Sequence, residues 1–412
     1  MKNLSKKGLI ESIVGFALIA VILVLGFTGV FSSMVFIKTL IGMGFGYALI
    51  RGDFGFAGLA NRTCRKGSTK LIRNLMLLFV VSAIIVGAFL ATGQTLSLWI
   101  NPISLGLVVG GILFGVGMAF SSCCATGVMQ DVPVGFSRAM ITLLFFGIGV
   151  FVGFPLMKTG FASNSLFTDG VNKGVSMTEW FKWDGTNGVV GAILVTVLFA
   201  VLIGLLAKWF EKKIAKNFPA QQKEVVETEE VTTYDRFFVK KWSGTVTVLV
   251  IALLFGLLYI VSATGWGAST VYGHWFGRLL YLLGVSPEAL ANFTKQAETA
   301  FTTPLLKNAG QMQNVGIILG AAVSLLLAKN FTETFKNGLK IKPLEIALFA
   351  MGGFLMGFGT RLSLGCNVGA LYTPIANFSL AGWIYFFFLF GGGYLGNMIR
   401  KSFYKVVDPS QL

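Results

Sequence analysis

Two copies of one glycine-rich, cysteine-containing stretch constrain this chain more than any other feature. The first copy is GGILFGVGMAFSSCCATG, residues 110–127, and the second is GGFLMGFGTRLSLGCNVG, residues 352–369. They align without a gap at an offset of 242 residues and share six glycine or cysteine positions. Each copy is typical of a hydrophobic helix broken by a short turn, and such a break at membrane depth survives only inside protein or beside a cavity. Two breaks in matching places therefore predict a transport site.

The composition places this pair of stretches in a membrane. The 412 residues are 55% hydrophobic and 12% charged, and their mean hydropathy is +0.77. Several apolar runs approach or exceed the length that crosses a bilayer as a helix. The 52 glycines and 39 phenylalanines suit such a protein, because small residues let helices approach closely while large apolar residues face lipid. We therefore predict an all-α polytopic membrane protein with lipid as a partner.

The net charge of +16 does not indicate a nucleic-acid partner. The basic residues collect in short loops beside apolar spans, as the orientation of a membrane protein by positive loops requires. The first apolar span is too long for a cleavable signal peptide, and no small-residue cleavage site follows it. The four cysteines are too few for a disulfide scaffold, and they lack zinc-ligand spacing. We expect no metal and no cofactor.

The apolar runs predict about ten spans in two halves. Their expected ranges are 9–30, 33–50, 74–91, 103–120, 138–156, 186–207, 243–263, 312–328, 343–362 and 377–398. The charged stretch 208–242 is predicted to be a cytoplasmic linker between an N-terminal half, 1–207, and a C-terminal half, 243–412. Basic loops place both termini in the cytoplasm. The first copy then enters from outside and the second from inside, so the halves form an inverted repeat.

A second small-residue pattern gives weaker support to the repeat. Gly42 and Gly46 precede the first copy, and Gly316 and Gly320 precede the second. Both pairs have the small-xxx-small spacing that lets membrane helices pack closely.

The turn in each copy offers thiols and small polar groups to a ligand. Cys124 and Cys366 hold the same position of the repeat, so an inverted arrangement brings both thiols near one pseudo-twofold axis. Thiols are weak donors and weak acceptors, and they suit a soft, sulfur-bearing partner better than a hard oxyanion. Backbone N–H groups at the start of a following helix attract anions. The candidate substrate-binding residues are Cys123, Cys124, Cys366, Ser122, Thr126, Asn367 and Arg361, and the candidate pore glycines are Gly115, Gly117, Gly127, Gly357, Gly359 and Gly369.

Each candidate also has a plainer interpretation. The glycines are equally typical of helix packing, and a cysteine can be a small buried hydrophobe. Arg361 is either a functional charge at membrane depth or a side chain that snorkels to the interface. The roles of Cys123 and Cys64 stay open, and His274 is expected to be structural or interfacial. Glu345, at the start of a helix, favours a capping role.

At these motifs the chain resembles the YeeE/YedE family of membrane proteins, which carry the sulfur-transport domain. The resemblance rests on both copies, on the extension ALYTPIANFSLAGW after the second, and on FGYALIRGDFGFAG, residues 45–58. It implies thiosulfate uptake in the YeeE branch and a link to selenium metabolism in the YedE branch, toward which the chain length points. It also implies cysteines that pass the ion inward by S–H hydrogen bonds, and a cytoplasmic TusA-like sulfur carrier as partner. A third family cysteine belongs in RGDFGFAG, where this chain has Gly55.

These observations together predict a permease of the bacterial inner membrane and not an enzyme. Its expected substrate is a small sulfur-containing anion, thiosulfate or a relative, which passes a central thiol-lined constriction. The alternatives are a transporter of a selenium species, a membrane thiol enzyme with Cys124 or Cys366 as nucleophile, and a scaffold that recruits carriers through 208–242. A catalytic thiol needs a nearby base or cation, and the sequence offers Arg361 but no well-placed histidine.

Overall fold

A computed structural model describes residues 6–93, 96–168, 173–214 and 232–407. Within these ranges the chain is helical, and no strand forms apart from two isolated bridges. The core of a bilayer offers no partner to backbone N–H and C=O groups, so a spanning segment satisfies them internally as a helix. The all-α polytopic membrane fold predicted from composition is confirmed.

Long helices carry the fold of the described ranges. They are α1 (Lys6–Phe27), α2 (Ser33–Arg51), α4 (Lys70–Ala91), α5 (Leu105–Ser121), α7 (Phe136–Gly153), α9 (Val189–Ile214), α10 (Gly244–Ser262), α14 (Ala309–Leu327), α16 (Pro343–Leu362) and α18 (Leu380–Val407). The short helices are α3 (Gly58–Lys66), α6 (Ala125–Asp131), α8 (Gly160–Ser163), α11 (Thr270–Leu282), α12 (Pro287–Thr294), α13 (Thr299–Thr302), α15 (Phe331–Asn337) and α17 (Thr373–Ala376).

The predicted spans agree with these long helices. Nine helical stretches of the described residues are long and apolar enough to cross a membrane, and the 28-residue α18 follows the last of them. The range predicted for α16, 343–362, matches to the residue. Glu345 caps this helix, because its carboxylate accepts the Lys342 backbone N–H at 3.1 Å. The capping role predicted for Glu345 is confirmed.

Burial separates central helices from peripheral ones. In the most apolar window of each span, 72% of α14 and 67% of the stretch that contains α5 are buried, against 22% of α1 and 28% of α9. Helices α1 and α9 therefore expose most of their apolar side chains at the outside of the bundle, where large apolar residues face lipid. The two glycine-rich helices α5 and α16 pack against each other, so the repeated stretches lie inside the bundle.

The glycines of the two copies make the α5–α16 crossing reciprocal. A β-carbon on Gly110 would lie 2.6 Å from the Gly359 carbonyl oxygen, and one on Gly352 would lie 2.8 Å from the Gly117 carbonyl oxygen. Gly110 and Gly352 are repeat partners, as are Gly117 and Gly359. An early residue of each helix therefore faces a late residue of the other, which makes the helices antiparallel, as the inverted arrangement of the copies predicts.

The neighbouring helices also pack in pairs that relate the two halves. Helix α5 packs on α18, and α16 packs on α7, which holds the corresponding place in the repeat. Helices α2 and α14 also pack together, with Gly42 and Gly46 against the α14 backbone and Gly316 and Gly320 against the α2 backbone. Both small-xxx-small patterns thus lie in one helix contact.

Two connecting regions, the linker and the segment 264–311, lie between predicted spans. The middle of the predicted linker, 215–231, lies outside the described residues. Its end packs on the bundle, because the Tyr234 hydroxyl donates to the Leu327 carbonyl at 2.7 Å and the Trp242 N–H to the Arg51 carbonyl at 2.9 Å. The segment 264–311, which no predicted span covers, contains helices α11, α12 and α13. Its polar residues hide these helices from a hydropathy pattern.

Candidate functional site

The two helix breaks have the same backbone. Ser121 ends α5, and its hydroxyl donates to Gly117 O at 2.8 Å and to Cys123 O at 3.3 Å. Ser363 repeats both bonds after α16, to Gly359 O at 2.8 Å and to Gly365 O at 2.9 Å. The next residue is left-handed in each copy, with φ of 59° at Ser122 and 55° at Leu364.

A left-handed residue without the freedom of glycine costs about 1–2 kcal/mol. The repeat therefore keeps a locally unfavourable turn at equivalent positions. Such strain is typical of functional segments.

The first break cysteine begins a short helix. Cys124 is fully buried, and its Sγ accepts the Gly127 backbone N–H at 3.3 Å as the N-cap of α6. The Thr126 hydroxyl lies 3.4 Å from the same sulfur. The thiol thus uses one of the backbone N–H groups that the sequence predicts for an anion. The Thr126 hydroxyl is a second polar partner of the sulfur.

The second break cysteine begins a segment of different hydrogen bonding. Cys366 is also fully buried, but its side chain makes no cap bond, and the following residues Asn367–Tyr372 form a π-helical turn. Cys124 and Cys366 lie within electrostatic range of each other, and Tyr272 lies within range of both. The Tyr272 hydroxyl donates to the Ala125 carbonyl next to the first thiol. The buried Tyr272 of α11 thus contacts the first break and lies within electrostatic range of both break cysteines.

A polar cavity of about 210 Å³ reaches the first break. Its lining residues are Asp53, Gly55, Ala57, Gly58, Asn61, Arg62, Arg65, Ser122, Cys123, Cys124, Gly127, Gln130, Asp131 and Arg138. The candidate residues Ser122, Cys123, Cys124 and Gly127 are among them. Two ion pairs neutralise part of the charge, with 2.9 Å between Arg62 and Asp53 and 2.9 Å between Arg138 and Asp131. The cavity thus connects basic side chains to the Cys124 thiol.

Gly55 lines this cavity at the position where the family resemblance implies a third cysteine. A β-carbon there would meet only the Gln130 side-chain nitrogen, at 3.8 Å. The site therefore has space for the side chain that this chain lacks. Cys64 is half-buried in α3 and does not line the cavity. Burial raises the pKa of the Cys64 thiol, which makes it a poor nucleophile at neutral pH.

Arg361 is the buried cation of the second copy. It is 1% exposed, and no described carboxylate pairs with it. Its guanidinium donates to Ser269 Oγ at 2.6 Å and to Thr270 Oγ1 at 3.1 Å, and it lies over the Phe154 ring at 5.5 Å. Arg361 also lies within electrostatic range of Cys366. A buried charge held only by neutral groups favours an approaching anion.

Asn367 follows the second thiol and leaves one polar atom without a partner. Its amide nitrogen contacts the Met118 sulfur at 3.1 Å, while its Oδ1 is buried and without a described hydrogen bond. Buried polar atoms are normally satisfied. Asn367 is therefore suited to a ligand or a water molecule between the breaks.

Four of the six candidate glycines pack helices and do not line the cavity. Gly115 lies against the α18 backbone, Gly117 against α16, Gly357 against α7 and Gly359 against α5. The other two follow the breaks. Gly127 lines the cavity, and the Gly369 carbonyl accepts a hydrogen bond from Asn101 at 3.2 Å. The packing interpretation thus describes the glycines within the long helices.

Tyr272, Arg65 and Arg400 are functional candidates that the sequence analysis missed. Tyr272 lies in a segment without a clear hydrophobic pattern. The two arginines are 335 residues apart in the sequence, and basic residues near spans are already explained by their role in orienting a membrane protein. His274, near Tyr272, stacks on Phe154 with 5.6 Å between ring centroids. Burial and then Arg361 lower the pKa of His274 to about 4. Its imidazole is therefore neutral at pH 7 and a weak base.

Comparisons with known proteins match most of the chain. A family model described as sulphur transport matches residues 51–395. The thiosulfate transporter TsuA of Spirochaeta thermophila is 26% identical over 368 residues, which are 87% of this chain and 97% of that protein. The thiosulfate transporter TsuA of Escherichia coli is 24% identical over 374 residues, 87% of this chain and 93% of that protein. The probable transporter YedE of Escherichia coli is 28% identical over 149 residues, 36% of this chain and 35% of that protein.

Proposed function

This chain belongs to the sulphur transport family, and from that premise we propose that it is an inner-membrane permease for a small sulfur-containing anion, thiosulfate or a close relative. The family expected from the motifs is thereby confirmed. The relatives that match along most of the chain are named thiosulfate transporters, whereas the YedE match covers about a third of it. This difference favours thiosulfate over a selenium species as the substrate.

The observation that carries the proposal is the pair of break cysteines. Cys124 and Cys366 hold equivalent places on equivalent turns, are fully buried, and lie within electrostatic range of each other. A packing role does not need a thiol at both places. The terminal sulfur of thiosulfate is large, soft and negatively charged, and it can accept S–H hydrogen bonds from the two thiols in turn. We infer that the anion passes between the breaks in this way.

The charges around the breaks suit a dianion. Arg361 lies within electrostatic range of the second thiol, and the cavity with its basic residues begins beside the first. In our proposal the anion meets Arg361 first, passes Cys366 and Cys124, and leaves through the cavity into the cytoplasm. We place the basic loops and both termini on that cytoplasmic side, where a TusA-like carrier would collect the sulfur.

We propose transport and not thiol chemistry. The hydrogen-bond partners of Cys124 are the Thr126 hydroxyl and the backbone of Gly127 and Ala57. These groups hold a sulfur but do not remove its proton. A nucleophilic thiol is normally activated by an adjacent base or a lowered pKa. If a persulfide accumulates on either break cysteine during turnover, as detected by mass spectrometry of the protein, the enzymatic alternative replaces the permease.

The test is uptake of radiolabelled thiosulfate by cells that lack their own sulfur permeases. We expect uptake by the wild type and a loss of most of it in Cys124→Ala and Cys366→Ala. Cys64→Ala is the matched control, because Cys64 lies outside the cavity, and it should keep wild-type uptake. Uptake that survives in the variant lacking both break cysteines would contradict the proposed path. If unlabelled selenite inhibits this uptake at concentrations lower than that of the labelled thiosulfate, the result favours the selenium alternative.

A further inference from the structure

Two arginines that are far apart in the sequence converge at the first break, next to the cavity. Arg65 of α3 donates to Ala119 O at 2.8 Å and to Ser122 Oγ at 3.1 Å. Arg400 of α18 donates to the same two acceptors, with 3.0 Å to Ala119 O. The two guanidinium groups therefore lie side by side over the first break.

This pair of cations lacks a carboxylate partner among the described residues. The nearby arginines Arg62 and Arg138 are paired with Asp53 and Asp131, but no ion pair involves Arg65 or Arg400. Desolvation and then the neighbouring Arg400 lower the pKa of Arg65 to about 10. Arg65 is still a cation at neutral pH. The carbonyl end of α5 offers only about half a negative charge against this pair.

Neutral side chains hold Arg65 in place. Its Nε donates to Asn397 Oδ1 at 2.8 Å, and the Asn397 amide donates to Asn61 Oδ1 at 2.8 Å. The Asn61 amide donates in turn to the Met118 carbonyl at 3.2 Å. Asn61 and Asn397 are both buried. A guanidinium fixed in this way loses little side-chain entropy when it binds a ligand.

The pair also keeps donors for a ligand. A guanidinium has five N–H groups, and Arg65 uses three of them on Asn397, Ser122 and Ala119. Arg65 and Ser122 line the cavity that reaches Cys124. A small anion in the cavity can therefore meet the free N–H groups of Arg65 while it is still close to the first thiol.

We propose that Arg65, Arg400 and Ser122 form a second anion station at the edge of the cavity, where a divalent sulfur oxyanion binds through its oxygens by charge and hydrogen bonds. This station is distinct from the thiols, which bind through sulfur. The identity of the anion in transit rests on the proposed function, but the station itself does not. It gives the anion a charged place to bind as it leaves the buried thiols.

The plainer alternative is that both arginines only cap the end of α5. The two roles differ in what they require of the side chain. A cap needs an N–H donor and tolerates glutamine, whereas an anion station needs positive charge and tolerates lysine better than glutamine. The variants Arg65→Gln/Arg400→Gln and Arg65→Lys/Arg400→Lys therefore separate the two.

The experiment measures binding of radiolabelled sulfate to the purified full-length protein in lipid nanodiscs. Sulfate has the oxygens and charge of the expected ligand but no terminal sulfur for the thiols. We expect the Cys124→Ala/Cys366→Ala protein to bind sulfate, and the added glutamine pair to raise its dissociation constant roughly tenfold or more, since hydrogen bonds to charged groups are the strong ones. The control is Arg73→Gln/Glu211→Gln, which removes an ion pair outside the cavity without changing the net charge.

Two results would overturn the station. One is equal sulfate affinity in the glutamine pair and the control. The other is loss of sulfate binding when anionic lipid is added to the nanodiscs, which would assign the arginines to a lipid phosphate. If the glutamine pair does not fold, the lysine pair decides, because retained sulfate binding supports the station and lost binding contradicts it. The outcome is independent of thiosulfate uptake, so the station and the permease can fail separately.

Discussion

The two helix breaks are alike in backbone and different in surroundings. Ser121 and Ser363 make equivalent hydrogen bonds, and Ser122 and Leu364 share a left-handed conformation. Outside the turn the likeness ends. The first break faces a cavity of about 210 Å³, whereas the second is buried within electrostatic range of Arg361, whose repeat partner is Ala119.

This difference separates the role of the duplicated stretches from the role of the residues around them. The duplicated stretches set the turn and the position of each thiol. Side chains outside the duplicated stretches set what each thiol can reach. Arg65 and Arg400 lie over the first break. From α11, Tyr272 donates to the Ala125 carbonyl beside the first thiol, and Thr270 accepts from Arg361 of the second copy. An inverted repeat can thus give two chemically similar steps with different access to water.

The largest effect is expected where the two copies touch. Gly110→Ala and Gly352→Ala each place a β-carbon 2.6–2.8 Å from a carbonyl oxygen of the other copy, and overpacking of this kind lowers the free energy of unfolding by about 1–3 kcal/mol. Because the contact is reciprocal, the two substitutions should lower the free energy of unfolding by similar amounts. Thermal unfolding of the purified protein measures them. Gly391→Ala is the control, since a β-carbon there meets nothing within 4 Å, and marked tolerance of one substitution alone would contradict the reciprocal contact.

The next effect tests the charge that only the second break has. Arg361→Gln should lower the initial rate of thiosulfate uptake about tenfold, because charged hydrogen bonds contribute more than neutral ones. Rates are compared at equal amounts of protein in the membrane. Arg278→Gln serves as control, since Arg278 donates to the Thr303 carbonyl away from the breaks. Unchanged uptake in Arg361→Gln would leave the charge difference between the breaks without a role.

A smaller effect separates the two thiols themselves. Cys124 caps α6 and Cys366 makes no cap bond, so Cys124→Ala should cost about 1 kcal/mol more in unfolding free energy than Cys366→Ala. Cys124→Ser should recover most of that cost, because its oxygen can accept the Gly127 N–H. Thermal unfolding of the three variants measures the difference. Equal melting temperatures for the two alanine variants would show that the sulfur cap contributes nothing.

The smallest effect on stability, and a direct test of access, is expected at Gly55. Gly55→Cys should change the unfolding free energy by less than about 0.5 kcal/mol, because a β-carbon there has space. A membrane-impermeant thiol reagent should modify the introduced thiol from the side of the cavity mouth and leave Cys366 unmodified, as mass spectrometry of peptides would show. Gly58→Cys is the contrasting variant, since its β-carbon would meet Leu71 at 2.6 Å. If the reagent modifies Cys366 before it modifies the introduced thiol, the proposal that the first break is the more accessible one is contradicted.

The long helices were predictable because each carries its own signal. An apolar run of span length predicts a helix whatever surrounds it, and the range for α16 was correct to the residue. The repeat was predictable for a similar reason, because six shared glycine and cysteine positions are visible in one chain. The short helices α11 to α13 carry polar residues and were not predicted.

The surroundings of the breaks depend on contacts between distant residues. Arg65 and Arg400 are basic residues near span ends, so the charge pattern assigns them to orientation alone. Nothing in the sequence shows that both reach Ser122. Tyr272 likewise becomes relevant only because α11 packs against α7. Spacing thus predicts the thiols of the site, while the tertiary fold supplies its charges.

The reciprocal glycine crossing has a consequence for motion. Moving α5 along α16 would bring side chains against backbone carbonyls that now face only a glycine hydrogen atom. The crossing therefore resists sliding but still permits a small change of angle about the contact. The crossing can act as a pivot for the two copies, so a movement at one turn would tilt both helices and move the other turn as well.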